Sequence, residues 1–364
     1  MLCFGDVSAA IPDGEAVKPA LVVGADSGFH QMSNTVTTLR DVVDLALCVP
    51  RDRRGVRFVI VVAGEALIDL VLAVDGSVSA KLGGGPFNVA RTLGRLGAEV
   101  SFLGTISTDR FGTQLFDQLH ADRVDPVATV RTDSPTTLAA AELDPTGSAR
   151  YRFYFNGTSA PALDEVPSGL DHPAAVHVGT LGLVLEPMAT TVVAYVAALA
   201  PDVLVMADPN CREHVITDRD EYLRRVGEVY ARSHIVKIST DDAAYLSPNS
   251  APIEYARSLV VADARVRVVL LTDGGNGTWV VSADAETVVA PGQITVADTI
   301  GAGDSFGGAF IGWWITAGFG VAELADHALV VQATRAASEV AAITCQRVGA
   351  DPPWLHELPP HWGT

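Results

Sequence analysis

Residues 298–306 read Asp-Thr-Ile-Gly-Ala-Gly-Asp-Ser-Phe, a pattern typical of the point where a strand ends and a helix begins. The apolar residues between 306 and 314 recur at helical spacing and mark the helix. Gly301, Ala302 and Gly303 permit a tight turn and leave their backbone N–H groups uncrowded. Because free N–H groups at a helix N-terminus attract negative charge, the stretch predicts an anion site within an α/β protein.

Asp304 stands directly beside this predicted anion site. A carboxylate would repel a bound phosphate group, unless the carboxylate accepts a proton during the reaction. We therefore interpret the stretch as a site of phosphoryl transfer. The N–H groups would stabilise the moving phosphoryl group, and Asp304 would take the proton of an attacking hydroxyl group. The alternative is that Asp304 only caps the helix.

The composition of the 364-residue chain favours a large enzyme domain and excludes several classes of function. Hydrophobic residues make up 48%, which is ample for a core, and the net charge of −18 argues against a nucleic-acid or anionic-membrane partner. The N-terminus lacks the pattern of a signal peptide, and the most apolar stretch is interrupted by Pro201, so we expect a cytoplasmic protein without a membrane span. The cysteines fit a reducing compartment and show no zinc-binding pair; they are Cys3, Cys48, Cys211 and Cys345.

Strand and helix patterns alternate along most of the chain. Residues 58–63 form a continuous apolar run, which is typical of a strand buried on both faces, and residues 87–96 form a helical pattern that Gly97 closes. The alternation continues from residue 100 to residue 271, and two or three helices are expected from 306 to 345. This order predicts the α/β class, with a parallel sheet, helices on both of its faces, and ligands at the carboxyl ends of its strands.

Two regions, residues 70–82 and 138–155, interrupt this alternation with short strands around turns. We predict that they form a small β-sheet set apart from the main sheet. A lid that excludes water from the substrate is the functional interpretation, and a plain sheet edge is the alternative.

Residues 1–56 do not follow the same alternation. A decayed partial repeat, an additional packing element and an unstructured leader are all compatible with this sequence. Two roles are also open, namely blocking the site and recruiting a partner.

Two further groups stand where contacts with a ligand are expected. Gly83, Gly84 and Gly85 precede a helix that carries Asn88, whose amide offers both a donor and an acceptor for a sugar hydroxyl group. The alternative is a glycine-rich turn that only begins the helix. Asp69 lies just beyond the first strand, where a carboxylate would bind two hydroxyl groups of a polyol, unless it is a solvated turn residue.

Five motifs occur along the chain in a fixed order. They are GEALID at 64–69, GGGPFNVARTLGRLG at 83–97, DPNCR at 208–212, LTDGGNG at 271–277 and DTIGAGDSFGGAF at 298–310. In content and order they resemble the motifs of the ribokinase-like (PfkB) carbohydrate kinases, and within them those of the fructokinase-like branch. The second and the last of them match the two signatures of that family.

The resemblance covers about residues 57–355 and implies a fold. This fold is the ribokinase-like three-layer α/β/α arrangement, with a mostly parallel central sheet and a small β-sheet lid. We therefore expect a kinase domain over 57–358, a lid from about 70–82 and 138–155, and an N-terminal extension over 1–56.

The resemblance also implies which residues carry the reaction. Asp304 is expected to be the general base, and the backbone of Gly301, Ala302 and Gly303 is expected to be the anion hole. The residues expected to bind the sugar are Asp69, Gly84, Gly85 and Asn88.

The nucleotide and the metal ions are assigned in the same way. The residues expected to line the ATP site are Lys237, Ser239, Thr272, Gly274 and Gly277, with a solvated Lys237 as the alternative. Asp242 is expected to help organise magnesium through water. A potassium ion behind the anion hole would be bound by Asp298 and the carbonyl group of Ile300, unless Asp298 caps the turn.

The acceptor is expected to be fructose. Ribokinases usually have lysine followed by Gly-Ala where this chain has Gly85, Pro86 and Phe87, which favours the fructokinase-like branch. The expected reaction is transfer of the γ-phosphoryl group of ATP to a primary hydroxyl group. One alternative is 2-keto-3-deoxygluconate or another ketose or acid sugar, which Arg152 in the lid would contact. Another is a catalytically idle relative that binds a sugar or nucleotide. A homodimer through the lid strands is also expected.

Overall fold

Two β-sheets organise the part of the chain that the computed structural model describes. The described residues are 59–143, 149–170, 172–262, 265–360 and 362. The strands are β1 (Ile60–Ala63), β2 (Leu67–Leu72), β3 (Val78–Gly83), β4 (Val100–Ser107), β5 (Thr129–Thr132), β6 (Leu138–Leu143), β7 (Ala149–Tyr154), β8 (Ala175–Gly179), β9 (Leu204–Asp208), β10 (Ile235–Ser239), β11 (Val268–Thr272), β12 (Thr278–Ser282) and β13 (Glu286–Val289).

The α-helices follow or precede the strands of the larger sheet. They are α1 (Gly85–Arg95), α2 (Arg110–Ala121), α3 (Met188–Ala198), α4 (Arg219–Tyr230), α5 (Thr240–Leu246), α6 (Pro252–Ala262), α7 (Ala302–Thr316) and α8 (His327–Cys345). Among the helices that the structure describes, none combines the length and the apolarity needed to cross a membrane.

The larger sheet has the order β13-β12-β11-β10-β9-β8-β1-β4-β5. The pairs from β11 across to β5 are parallel, whereas β12 and β13 add two antiparallel strands at one edge. The mostly parallel sheet predicted from the alternating pattern is therefore confirmed. Parallel strands end at the same edge of a sheet, so this arrangement gathers the residues that follow them.

Both faces of the larger sheet are covered. All four side chains of β1 are fully buried; Ile60 and Val62 belong to one apolar cluster, and Val61 and Ala63 belong to the other. The first cluster includes residues of α1, α7 and α8, and the second includes residues of α3 and α4. Because successive side chains of a strand point to opposite faces, this division confirms the three-layer α/β/α arrangement.

The smaller sheet has the order β3-β2-β6-β7 and is built from the two regions that interrupt the alternation. Strands β2 and β3 pair antiparallel, β2 and β6 pair parallel, and β6 and β7 pair antiparallel. A separate small sheet is thus confirmed. Strand β2 begins at Leu67, whereas the small sheet was predicted to begin at about residue 70. Asp69 therefore lies within a strand and not in a turn.

The structure differs from the sequence prediction in front of the helix at 302. The residues from 290 to 301 form no strand. The N–H groups of Ala297 and Asp298 both donate to the carbonyl oxygen of Cys345, at 2.8 and 3.2 Å, which replaces pairing with a sheet. Strands β5, β12 and β13 were not predicted, and the proposals for residues 1–56 lie outside the described residues.

Candidate active site

A cleft of about 470 Å³ lies at the carboxyl ends of β9, β10 and β11, between the larger sheet, the smaller sheet and the N-terminus of α7. It contains polar residues from segments that are far apart in the sequence. The residues that line it are Glu65, Leu67, Asp69, Gly84, Gly85, Asn88, Phe153, Leu181, Asn210, Arg212, His214, Lys237, Ser239, Asp242, Thr272, Thr299, Ile300, Gly301, Gly303 and Asp304.

Asp304 occupies the first turn of α7 and faces this cleft. The side-chain amide of Asn88 donates a hydrogen bond of 2.9 Å to its Oδ2 atom. Burial raises the pKa of Asp304, while the bond from Asn88 and the positive charges of Lys237 and Arg212 act in the opposite direction. A carboxylate with a raised pKa is a better proton acceptor than an exposed aspartate.

Gly301 begins α7 in a conformation that few other residues adopt. Its φ angle is 75°, and a Cβ atom at this position would lie 2.5 Å from the Cβ atom of Ala350. Among the described residues, no side chain caps α7 at Gly301, so the helix N-terminus stays available to an anion in the cleft. Of the three predicted anion-hole residues, Gly301 and Gly303 line the cleft, whereas the N–H group of Ala302 donates to Thr299 at 3.3 Å.

Lys237 lies in β10, and its side chain approaches the loop formed by residues 297–303, here called the anion loop. Its side chain is only 5% exposed, and its Nζ atom is 2.7 Å from Oδ2 of Asp208. Burial alone would lower the pKa of Lys237, but the carboxylates of Asp208, Asp242 and Asp304 together outweigh burial, and the pKa is raised. The Nζ atom lies 3.3 Å from the position of a Cβ atom on Gly303. The alternative of a solvated Lys237 is therefore wrong.

The residues predicted to bind the sugar are brought together at the cleft. Asp69, Gly84, Gly85 and Asn88 all line it. Burial raises the pKa of Asp69 to about 6; the charge of Arg212 opposes this rise, and that of Asp304 adds to it. Asp69 lies within strand β2 and lines the cleft, so the alternative of a solvated turn residue is wrong. A Cβ atom at Gly85 would approach Thr180 to 2.7 Å, which explains the small residue there.

Arg152 does not reach the cleft, which corrects the prediction that it contacts the substrate. It lies on β7 with its side chain 55% exposed, and its Nε atom is 3.2 Å from Oε1 of Glu142. The next residue, Phe153, lines the cleft instead. Because side chains alternate along a strand, a shift of one residue decides which of the two faces the ligand.

The residues predicted to bind the nucleotide divide into two groups. Ser239 and Thr272 line the cleft at the ends of β10 and β11. Gly274 and Gly277 lie in the turn between β11 and β12, beyond the lining of the cleft. Asp242 also lines the cleft and completes a capping box with Ser239, whose N–H and hydroxyl groups donate to Oδ2 of Asp242 at 2.9 and 2.7 Å.

Asp298 and Ile300 stand at the loop that leads into α7. Oδ1 of Asp298 accepts from the N–H group of Ile300 at 3.1 Å, and Oδ2 accepts from that of Gly349 at 2.8 Å. These bonds give Asp298 the role of a turn cap. Each of its oxygen atoms keeps a second lone pair, so the carboxylate also retains the capacity to bind a cation.

Several residues that line the cleft were not assigned to the site by the sequence analysis. Burial raises the pKa of Glu65 to about 7, although its oxygen atoms accept from the hydroxyl group of Thr180 and the N–H group of Gly85. Arg212 is exposed in the cleft, donates to the side chain of Asn210, and lowers the pKa of Asp69. Glu65, Asn210 and Arg212 belong to segments that follow the ends of β1 and β9, which was the available signal.

This chain resembles known proteins over most of its sequence. A family model described as pfkB family carbohydrate kinase matches residues 58–357. A fructokinase of Rhizobium leguminosarum bv. trifolii is 32% identical over 254 residues, which cover 68% of this chain and 77% of that relative.

Solved structures of fructokinases have the same fold. The structure of fructokinase with bound ATP from Xylella fastidiosa gives a TM-score of 0.75 at 24% identity, and the match covers 84% of this chain and 96% of that one. The structure of fructokinase from Vibrio cholerae O395 in a fructose, ADP and calcium ion bound form gives a TM-score of 0.69 at 23% identity, with 80% and 94% covered.

Proposed function

This chain belongs to the pfkB family of carbohydrate kinases, and we propose that it transfers the γ-phosphoryl group of ATP to a primary hydroxyl group of fructose. The observation that carries this proposal is the position of Asp304. Its carboxylate faces the cleft beside an uncapped helix N-terminus and is held by Asn88. The cleft is therefore lined by both a proton acceptor and an anion site.

The proposed mechanism assigns the proton and the charge to different residues. Asp304 accepts the proton of the sugar hydroxyl group as its oxygen attacks the γ-phosphorus atom. The backbone at Gly301 and Gly303 and the ammonium group of Lys237 stabilise the negative charge on the phosphoryl group. Arg212 adds a second positive charge on the open side of the cleft, where its guanidinium group is exposed.

A neutral sugar suits the hydrogen-bond acceptors that line the cleft. Asp69 and Glu65 offer carboxylate oxygens to sugar hydroxyl groups. Oδ1 of Asn88 is buried and has no hydrogen-bond partner among the residues that the structure describes. Such an acceptor-rich surface favours hydroxyl groups and repels anions. The names of the relatives also favour fructose.

An acid sugar such as 2-keto-3-deoxygluconate is the second candidate. Arg152 does not support it, because that side chain pairs with Glu142 outside the cleft. Arg212 and His214 do support it, since both line the cleft and would attract a carboxylate group. Direct comparison of the two sugars decides between these candidates.

Magnesium and potassium belong to the proposal as bound ions. The described residues contain no group of three acidic, histidine or cysteine side chains that could hold a metal, so magnesium would be bound mainly by the phosphate oxygens. Asp242 would organise its water ligands, and Asp298 with the carbonyl group of Ile300 would bind potassium. Magnesium would neutralise phosphate charge.

The remaining expectations concern the surroundings of the site. The smaller sheet would act as a lid that excludes water, and its edge strands β3 and β7 would pair in a homodimer. We propose a kinase domain over 57–358 and an N-terminal extension of unknown role over 1–56. Deleting residues 1–56 tests whether the extension contributes to turnover or stability, and unchanged values of both would exclude such a contribution. A cytoplasmic location remains a prediction.

The experiment that tests the proposed function is ADP release from the purified protein with MgATP and KCl. The acceptors are fructose, 2-keto-3-deoxygluconate, ribose, tagatose, fructose 6-phosphate and adenosine. We expect the highest kcat/KM with fructose. A higher value with another sugar would replace the acceptor. Absence of turnover with every acceptor, in folded protein that binds ATP, would favour the catalytically idle relative.

A further inference from the structure

The segment that follows α8 packs directly against the anion loop. The carbonyl oxygen of Cys345 accepts from two N–H groups of that loop, and the N–H group of Gly349 donates to Asp298. Ala350 then lies against Gly301 so closely that no Cβ atom would fit between them. The position of Gly301 therefore depends on the position of Ala350.

Helix α1 fixes this segment from the other side. Nη1 of Arg91 donates to the carbonyl oxygen of Ala350 at 2.9 Å, and Nη1 of Arg95 contacts Asp351 at 2.6 Å. Both arginine side chains also pair with Asp122, at 2.6 and 2.8 Å, and this carboxylate is 1% exposed. The three buried side chains form one rigid cluster, because each carboxylate oxygen of Asp122 accepts from a different arginine.

We propose that Arg91 is a positioning residue that sets the anion loop relative to the general base. This inference rests on the proposed kinase function. Helix α1 carries Asn88, which binds Asp304, and one turn later it carries Arg91, which binds Ala350. One helix thus fixes both the proton acceptor and, through Ala350, the loop that receives the phosphoryl group.

The chemistry of arginine suits this role. Arg91 uses Nε for Asp122 and Nη1 for Ala350 at the same time, which requires the planar fork of a guanidinium group. A lysine would present one ammonium group and could not satisfy both acceptors in the same geometry. Arg91→Lys therefore keeps the charge that Asp122 needs and removes the contact with Ala350.

The test compares Arg91→Lys and Ala350→Gly with a control, Arg347→Met. The glycine variant removes the Cβ contact with Gly301 without changing the buried ionic cluster. Within the described residues, the hydrogen bonds of Arg347 go to Asp351, Pro352 and Glu357 rather than to Ala350. We expect the first two variants to lower kcat by about 10- to 100-fold, with KM for sugar and ATP changed by less than about threefold. The control should keep kcat.

Hydrogen exchange of the backbone at 299–303 provides a second readout that needs no turnover. Both variants should exchange faster there than the wild type, and the control should not. Unchanged exchange, or a kcat equal to that of the wild type in both variants, would overturn the positioning role. A wild-type protein without sugar-dependent turnover would instead refute the proposed function, and the exchange data would still decide the role of Arg91. If Arg91→Lys does not fold, Ala350→Gly tests the link from Ala350 to Gly301 by kcat and by exchange, and a variant unchanged in both would overturn the positioning role.

Discussion

Glu65 makes the stability of this protein depend on pH in a direction that can be calculated. It is 3% exposed, and burial raises its pKa from 4.5 to about 7. The folded state therefore binds more protons than the unfolded state between these two values. Because the raised pKa belongs to a carboxyl group, stability falls as the pH rises through this window. The Glu65→Gln variant cannot ionise and lacks this loss.

The expected size follows from the two pKa values. Between pH 5.5 and pH 8, ionisation of Glu65 should lower the free energy of unfolding of the wild type by about 2 kcal/mol. Glu65→Gln should not show this decrease. The remaining carboxyl groups titrate in both proteins, so their contributions cancel in the difference. Glutamine keeps the shape and an oxygen acceptor for the N–H group of Gly85.

Urea unfolding of both proteins at several pH values measures this difference. We expect the stability of Glu65→Gln relative to the wild type to increase steadily from pH 5.5 to pH 8. Glu142→Gln in the smaller sheet is the matched control for replacing a carboxyl group with an amide, because that side chain is 45% exposed. A constant difference for Glu65→Gln would refute a buried carboxyl group with a raised pKa.

Three further predictions concern the anion loop and its surroundings. Lys237→Met should destabilise the protein by about 3–5 kcal/mol in urea unfolding, because it leaves Asp208 buried without its partner. The double variant Lys237→Met/Asp208→Asn should regain stability but not turnover. A double variant no more stable than Lys237→Met alone would contradict the ion pair. Gly301→Ala should lower kcat by at least about tenfold, because the new Cβ atom overlaps Ala350 and the φ angle is positive; an unchanged kcat would contradict a constrained loop. The pH profile of kcat should show loss of activity on the acid side, at a pH above the usual pKa of aspartate, because burial raises the pKa of Asp304; a flat profile would contradict its role as a base.

The features that could be predicted from the sequence are local in the chain. The helix at 302–316, the glycine-rich loop before it and the buried strand β1 follow from short patterns of apolar and small residues. Asp304 was recognisable for the same reason, since its neighbours in the sequence are also its neighbours at the helix N-terminus.

The features that could not be predicted depend on distant contacts or on register. The absence of a strand before residue 298 results from bonds to Cys345, which is 47 positions away from Asp298. The cluster of Arg91, Asp122 and Ala350 joins positions up to 259 residues apart. Arg152 was misplaced because the pattern of β7 allows either face to meet the ligand, and only the pairing with β6 fixes which one does.

The most direct test of the central claim is the turnover of Asp304→Asn with MgATP and fructose. Asparagine keeps the size of the side chain and an oxygen atom for the bond from Asn88, but it cannot act as the proton acceptor. We predict a fall in kcat of about 10²- to 10⁴-fold, with the affinity for ATP unchanged within about threefold. Turnover within tenfold of the wild type would contradict the account, because the proton would then leave by a route that does not use Asp304.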